Sequence, residues 1–65
     1  MSAARWTIFS ADKAGNMRDH ATGNDPGMVV RFAERLRNRL GKGYCVGILD
    51  NEDGTEVSET LEQGL

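Results

Sequence analysis

The clearest periodic pattern in the chain lies in residues 25–43. Apolar side chains recur there at spacings of three and four residues, which places them along one stripe of an α-helix. Asp25 is a favourable N-cap, Pro26 suits the first helical position, and Gly41 suits the left-handed residue that ends a helix. The sequence therefore predicts a helix in this stretch, with an apolar stripe that consists of Val29, Phe32, Ala33, Leu36 and Leu40.

Two segments that precede the helix have the composition of β-strands. Residues 5–10 (RWTIFS) are rich in β-formers and place Trp6 and Ile8 on one face of a strand. A turn of the form Asp-Lys-Ala-Gly follows at residues 12–15. Residues 16–21 are then predicted to return as a short second strand.

The most apolar run in the chain comes after the helix, at residues 44–50 (YCVGILD). It predicts a central strand, in which Cys45 is a buried and unreactive thiol. A second turn leads into residues 55–60, whose alternation predicts a polar-faced strand with Val57 pointing inward. Residues 61–65 are expected to fray.

Together these elements predict a single α+β domain over residues 1–65, with one helix packed on a small, mostly antiparallel sheet. The expected order is ββαββ, or βαββ if the second strand is absent. The residues expected to form the core are Trp6, Ile8, Phe32, Leu36, Leu40, Val46 and Ile48.

The length and the cysteine count limit what can stabilise this fold. A core built from 65 residues rarely contributes more than about 3–5 kcal/mol of net stability. The single cysteine excludes an internal disulfide, and Cys45 with His20 is too small a set for a four-ligand zinc site. No metal or cofactor is predicted. The protein is expected to be a monomer, or a homodimer joined through sheet edges or through Met28 and Val30.

Only one cluster, Arg18-Asp19-His20, has the residue types for acid–base catalysis. Adjacent residues of a strand point to opposite faces, so Asp19 is poorly placed to orient His20. The chain has no phosphate-binding loop and no nucleophile elbow. The sequence therefore predicts a protein that is not an enzyme.

Charge is distributed unevenly along the chain, although the net charge is only −2. All eight basic residues precede residue 43, and six acidic residues lie in residues 50–62 with no Lys or Arg among them. Carboxylates along an extended hairpin can imitate DNA phosphates and attract the basic groove of a partner. The alternative is that these charges only keep the edge of the sheet soluble and prevent sheet-to-sheet association. The predicted partner-binding residues are Asp50, Glu52, Asp53, Glu56 and Glu59.

A very small, acidic, cysteine-poor α+β chain with a carboxylate-rich hairpin resembles the anti-CRISPR proteins of phages and mobile elements. The resemblance covers the whole chain in size, acidity and layout. It implies an inhibitor that acts as a DNA mimic on a protein partner, a nucleic-acid-handling complex such as a CRISPR effector, without binding nucleic acid itself. It also implies the bacterial host cytoplasm, in keeping with the free thiol and with the absence of an apolar run of membrane-spanning length.

A second hypothesis rests on the basic side of the helix. Three of its arginines, Arg31, Arg35 and Arg39, recur at intervals of four residues, a spacing at which they can contact successive phosphates. The protein would then be a small nucleic-acid-binding regulator; a solvated face with Glu34 paired to two of these arginines is the alternative. The residues of this second hypothesis are Arg31, Arg35, Arg37 and Arg39.

Overall fold

A computed structural model describes residues 4–64. Its sheet has the strand order β2-β1-β3-β4, and all the strand pairs are antiparallel. This confirms the predicted α+β architecture and the ββαββ order, to which the structure adds a short C-terminal helix. The elements are β1 (Trp6–Asp12), β2 (Met17–Gly23), α1 (Pro26–Leu40), a 3₁₀ turn (Gly41–Gly43), β3 (Tyr44–Asp50), β4 (Thr55–Glu56) and α2 (Ser58–Gly64).

The core lies between α1 and one face of the sheet. β1 is central and pairs with both β2 and β3, so that Ile8 stands opposite Ile48 at the middle of the sheet. Because β2 and β3 flank β1 on opposite sides, the chain crosses over β1 through α1. The buried apolar residues are Ile8, Val29, Val30, Ala33, Leu36, Val46 and Ile48.

The ends of α1 have the caps that the sequence predicted. The carboxylate of Asp25 accepts a hydrogen bond from the amide of Gly27 at 2.9 Å, and Pro26 opens the helix. Gly41 has a φ of 78° and its amide donates to the carbonyl of Arg37. That left-handed conformation favours glycine, and it stops the helix before β3.

The predicted core included three residues that the structure leaves partly exposed. Phe32 is 39% exposed, and Trp6 and Leu40 are only partly buried against the core. Phe32 lies at the edge of the apolar stripe of α1, where the sheet does not reach over it. Val29 and Val30 take its place among the buried residues.

The predicted strand over residues 55–60 is wrong beyond Glu56, and the predicted fraying is wrong for residues 61–64, which belong to α2. Residue 65 lies outside the described residues. The Glu56 carboxylate accepts hydrogen bonds from the amide and the hydroxyl of Ser58, at the start of the helix. Val57 and Leu61, one helical turn apart, both pack against the core. This packing favours a helix over a longer strand.

The second face of the sheet is not covered by α1. Phe9 lies on it against Gly47, its partner across β1 and β3. Cys45 points to the same face and is exposed, so the prediction of a buried thiol is wrong. The reason is that a strand this apolar is covered on one side only.

None of the helices within residues 4–64 is long and apolar enough to cross a membrane.

Candidate functional site

Asp50, the first of the predicted partner-binding carboxylates, is almost completely buried. It accepts hydrogen bonds from Nε and Nη2 of Arg5 at 2.9 and 3.0 Å, and from the amide of Glu52 at 2.9 Å. These hydrogen bonds hold the pKa of Asp50 below its usual range, and the hydrogen bond from Arg5 has the largest effect. Asp50 therefore joins the start of β1 to the end of β3 and is not available to a partner.

The other predicted carboxylates do not form one extended line. Glu52 lies 3.0 Å from Nη1 of Arg5, and Asp53 accepts from the amide and hydroxyl of Thr55 at 3.0 and 2.7 Å. Glu56 binds the start of α2, and Glu59 lies within its first turn. Among these five, Glu59 alone has no hydrogen bond or ion pair with another described residue. The acidic segment mainly stabilises its own turn and the following helix.

On α1, three of the four predicted arginines form one exposed row. Arg31, Arg35 and Arg39 are four residues apart, which corresponds to about 6 Å along a helix axis. Within residues 4–64 no carboxylate lies in ion-pair contact with any of them. Glu34, on the same helix, pairs with neither Arg31 nor Arg37.

Arg37 differs from these three because it points to the other flank of α1. It binds the carboxylate of Glu62 in α2, and its Nη2 lies 3.3 Å from the carbonyl oxygen of Val46 in β3. Its role is to attach α2 to α1 and β3. No pattern in the sequence indicates this role, because Glu62 lies in the segment that is expected to fray.

Two large apolar side chains accompany the exposed arginines. Met28 is 65% exposed and Phe32 is 39% exposed, and both line shallow grooves with the neighbouring guanidinium groups. Sequence reasoning missed this aromatic side chain because the helical period assigned Phe32 to the core. We call this surface the arginine patch; it consists of Met28, Arg31, Phe32, Arg35 and Arg39.

A cleft of about 160 Å³ lies beside the arginine patch, between α1 and β2. It lies beside Ala21, which stands opposite Ile8 and is too short to fill the space below α1. At Gly23 the helix instead approaches closely, because a Cβ there would be 3.1 Å from Cγ2 of Val29. The run Ala-Thr-Gly at the end of β2 is the sequence signal that could have indicated it. We call it the β2 cleft; its lining includes Ile8, Ala21, Asn24, Met28, Val29 and Phe32.

The histidine of the predicted acid–base cluster has a structural role. His20 is the extra residue of a bulge in β2, and its Nε2 lies 2.7 Å from Oγ of Ser10, which is buried. Asp19 stands opposite Phe9 and does not contact the imidazole. Among the described residues no carboxylate is hydrogen-bonded to the imidazole, and the contact with Ser10 joins the bulge of β2 to β1.

No group of three or more His, Cys, Asp or Glu side chains within residues 4–64 is arranged to hold a metal ion. The candidate surfaces are therefore the arginine patch, the β2 cleft and the acidic segment of residues 50–62. The chain matches no family model, no curated protein and no solved structure.

Proposed function

We propose that this protein is a small, non-enzymatic nucleic-acid-binding protein whose arginine patch contacts the phosphate backbone. The observation that carries the proposal is the row of Arg31, Arg35 and Arg39, exposed and without an acidic partner among residues 4–64. Guanidinium groups bind phosphate oxygens through paired N–H donors. A row with one guanidinium group per helical turn can contact successive phosphates of a nucleic-acid strand.

Phe32 and Met28 add to this argument because they place apolar area between the charges. Proteins that bind single strands combine basic residues that follow the backbone with aromatic side chains on which bases stack. The protein's net charge of −2 does not oppose this arrangement, since the charges are segregated. The arginine patch borders β2, and most of the acidic segment lies along β3, β4 and α2, toward the opposite edge of the sheet. Glu52, which lies near Arg5 and Asn24, is the exception.

The test is fluorescence anisotropy with labelled single-stranded and duplex oligonucleotides at several salt concentrations. We expect the variant Arg31→Gln/Arg35→Gln/Arg39→Gln to bind at least about tenfold more weakly at low salt. Each phosphate contact on a single strand contributes about 0.7 to the slope of log K against log salt, so loss of three contacts lowers that slope by about 2.

Lys13→Gln is the matched control, because it removes a cation at the β1–β2 turn, away from α1. It should leave both affinity and slope nearly unchanged. Thermal unfolding by circular dichroism verifies that the variants fold. Wild-type protein that binds no oligonucleotide at 50 mM salt, or a triple variant that binds as well as wild type, contradicts the proposal.

A second candidate function keeps the acidic segment as the site of an inhibitor that occupies the basic surface of a nucleic-acid-handling complex, such as a CRISPR effector. The observation in its favour is that Glu52, Asp53, Glu56 and Glu59 remain exposed, even where they bond within their own segment. Exposed carboxylates can attract a basic partner at long range.

The two candidates predict opposite results in a pull-down from nuclease-treated bacterial lysate. A partner bound through the acidic segment should be lost with Glu52→Lys/Glu59→Lys and retained with the triple arginine variant. Its recovery should also fall as salt rises, because exposed charges are screened. A partner that both variants retain rules out this candidate.

A further inference from the structure

The β2 cleft and the arginine patch share two side chains, Met28 and Phe32. We propose that the β2 cleft receives one unstacked base of a single-stranded nucleic acid, while Arg31 and Arg35 hold the phosphates beside it. The proposal rests on the proposed function and adds the class of ligand, a single strand instead of a duplex.

The size and lining of the cleft fit one aromatic ring. Its volume is about 160 Å³, close to the roughly 150 Å³ of an apolar protein cavity that binds benzene. Ile8 and Val29 are almost completely buried and lie beneath it, and Met28 and Phe32 form its exposed wall. A planar base can therefore be buried against apolar surface with its edge toward the rim.

The rim of the cleft carries polar groups that can bind the edge of a base. The Asn24 side-chain oxygen accepts a hydrogen bond from the backbone amide of Arg5 at 2.8 Å, which assigns its other atom as nitrogen. No described residue accepts a bond from that nitrogen. The N–H donors of Asn24 suit a carbonyl oxygen of a pyrimidine such as thymine.

Positive charge in the adjoining groove, which shares Met28 and Phe32 with the cleft, favours a nucleotide over an aromatic side chain of a protein. The lining of the cleft itself carries one carboxylate, that of Asp25, which accepts a hydrogen bond from the Gly27 amide. Arg31 folds back over the first turn of α1, where a Cβ at Gly27 would be 3.9 Å from its Nη2. Arg35 follows one turn later and lines the adjoining groove with Met28 and Phe32. A nucleotide whose base enters the cleft can therefore place its phosphates in the adjoining groove, where Arg31 and Arg35 lie. A base paired within a duplex cannot enter, because its edge and faces are already occupied.

The test compares a labelled strand of eight thymidines with a strand of the same length made of abasic sugar phosphates. Both carry the same phosphates, so contacts to Arg31 and Arg35 are retained. We expect the abasic strand to bind at least about tenfold more weakly at 50 mM salt, as is typical for loss of a stacked base. Equal affinity for the two strands would show that only phosphates are bound, which overturns the cleft proposal and leaves the arginine patch intact.

Ala21→Leu tests the same point from the protein side, because it fills the β2 cleft without changing a charge. It should lower the affinity for the thymidine strand to that for the abasic strand. Ala11→Leu is the matched control: the same substitution on the neighbouring strand, on the sheet face away from α1. An Ala21→Leu protein that folds and binds thymidines like wild type would contradict the proposal.

A measurement on the wild type covers the case in which Ala21→Leu does not fold. Titration with thymidine 5′-monophosphate should shift the NMR signals of Ala21, Asn24 and the Met28 methyl group. Shifts confined to Arg35 and Arg39 would overturn the cleft proposal. Shifts at the cleft with N-acetylphenylalanine amide but not with the nucleotide would assign the cleft to a protein side chain instead. A wild-type protein that binds duplex but neither strand nor nucleotide overturns the cleft proposal alone, and one that binds no nucleic acid overturns the proposed function itself.

Discussion

The contact between Phe9 and Gly47 shows how a single residue is selected by the space around it. The two residues are paired across β1 and β3, on the sheet face away from α1. A Cβ at Gly47 would be 2.5 Å from Cζ of Phe9 and 2.8 Å from its Cε1. The ring therefore occupies the volume that any side chain at residue 47 would need, and the glycine is required for close approach.

We predict that Gly47→Ala lowers the free energy of unfolding by about 1–3 kcal/mol, the usual cost of overpacking. In a Phe9→Ala background the same substitution should cost nothing, because the ring is gone and alanine loses less conformational entropy than glycine. Urea denaturation of the four proteins of this double-mutant cycle measures the coupling. The same cost in both backgrounds would show that the ring does not determine the residue at this position.

The helix caps show which roles a sequence pattern predicts most directly. Asp25 and Gly41 act on the helix that contains them, so their roles follow from chain position alone. The exposure of Cys45 and Phe32 depends on whether distant segments cover them, which no local pattern reports. The same limit applies to the candidate site: the arginine spacing was visible in the sequence, whereas the Ala-Thr-Gly run of β2 indicates a cleft only once α1 is known to pack beside it.

At the scale of elements, the two flanks of α1 have different surroundings. One flank is held by α2 through the ion pair of Arg37 and Glu62. The other flank borders β2, where a small side chain leaves the cleft open. The alternating pattern of residues 55–58 concealed α2, since only the spacing of Val57 and Leu61 indicates a helix there. A ligand in the β2 cleft would contact α1 on the flank that α2 does not cover.

The N-cap of α1 gives a prediction at this scale. Asp25→Ala removes the acceptor for the Gly27 amide and should lower the free energy of unfolding by about 1 kcal/mol, within a range of about 0.5–2. Asp25→Ser retains an acceptor and should recover most of the loss. Asp19→Ala, at an exposed strand position, is the control and should change stability by less than about 0.5 kcal/mol. Equal effects of Asp25→Ala and Asp19→Ala would show that the cap adds no stability.

At the scale of the whole molecule, Arg5 joins three segments at one corner of the sheet. Its guanidinium binds Asp50 and Glu52, and its backbone amide donates to the side chain of Asn24. Its carbonyl accepts from the amide of Asn51 at 2.8 Å. The start of β1, the loop before α1 and the turn after β3 are therefore held together by one residue.

These contacts predict how stability depends on pH. The pKa of Asp50 is lowered by the hydrogen bond from Arg5, and that of Asp12 by hydrogen bonds from Asn16 and the turn amides. A carboxyl group with a lower pKa in the folded state binds fewer protons there than in the unfolded chain. The free energy of unfolding should therefore be constant near neutral pH and decrease as the pH falls below about 4, through the lowered pKa values.

Urea denaturation between pH 7 and pH 2.5 measures this decrease. Asp50→Asn should be less stable than wild type at pH 7, and its stability should fall less on acidification. Asp12→Asn should reduce the acid sensitivity in the same direction as Asp50→Asn. Asp19→Asn, which removes an exposed carboxyl group on β2, is the control. Identical pH profiles for wild type and Asp50→Asn would contradict the assignment.

The central position of β1 has a consequence for synthesis of the chain on the ribosome. β1 is translated before the other strands of the sheet and pairs with β2 through a short turn, but its other edge stays open until α1 and β3 have been made. Until then the nascent chain carries a central strand that is paired on one side only and an amphipathic helix that lacks most of the sheet it packs on, both of which favour association with other chains. A protein truncated after α1 is therefore expected to aggregate, because the strand that pairs with the open edge of β1 is translated after this helix.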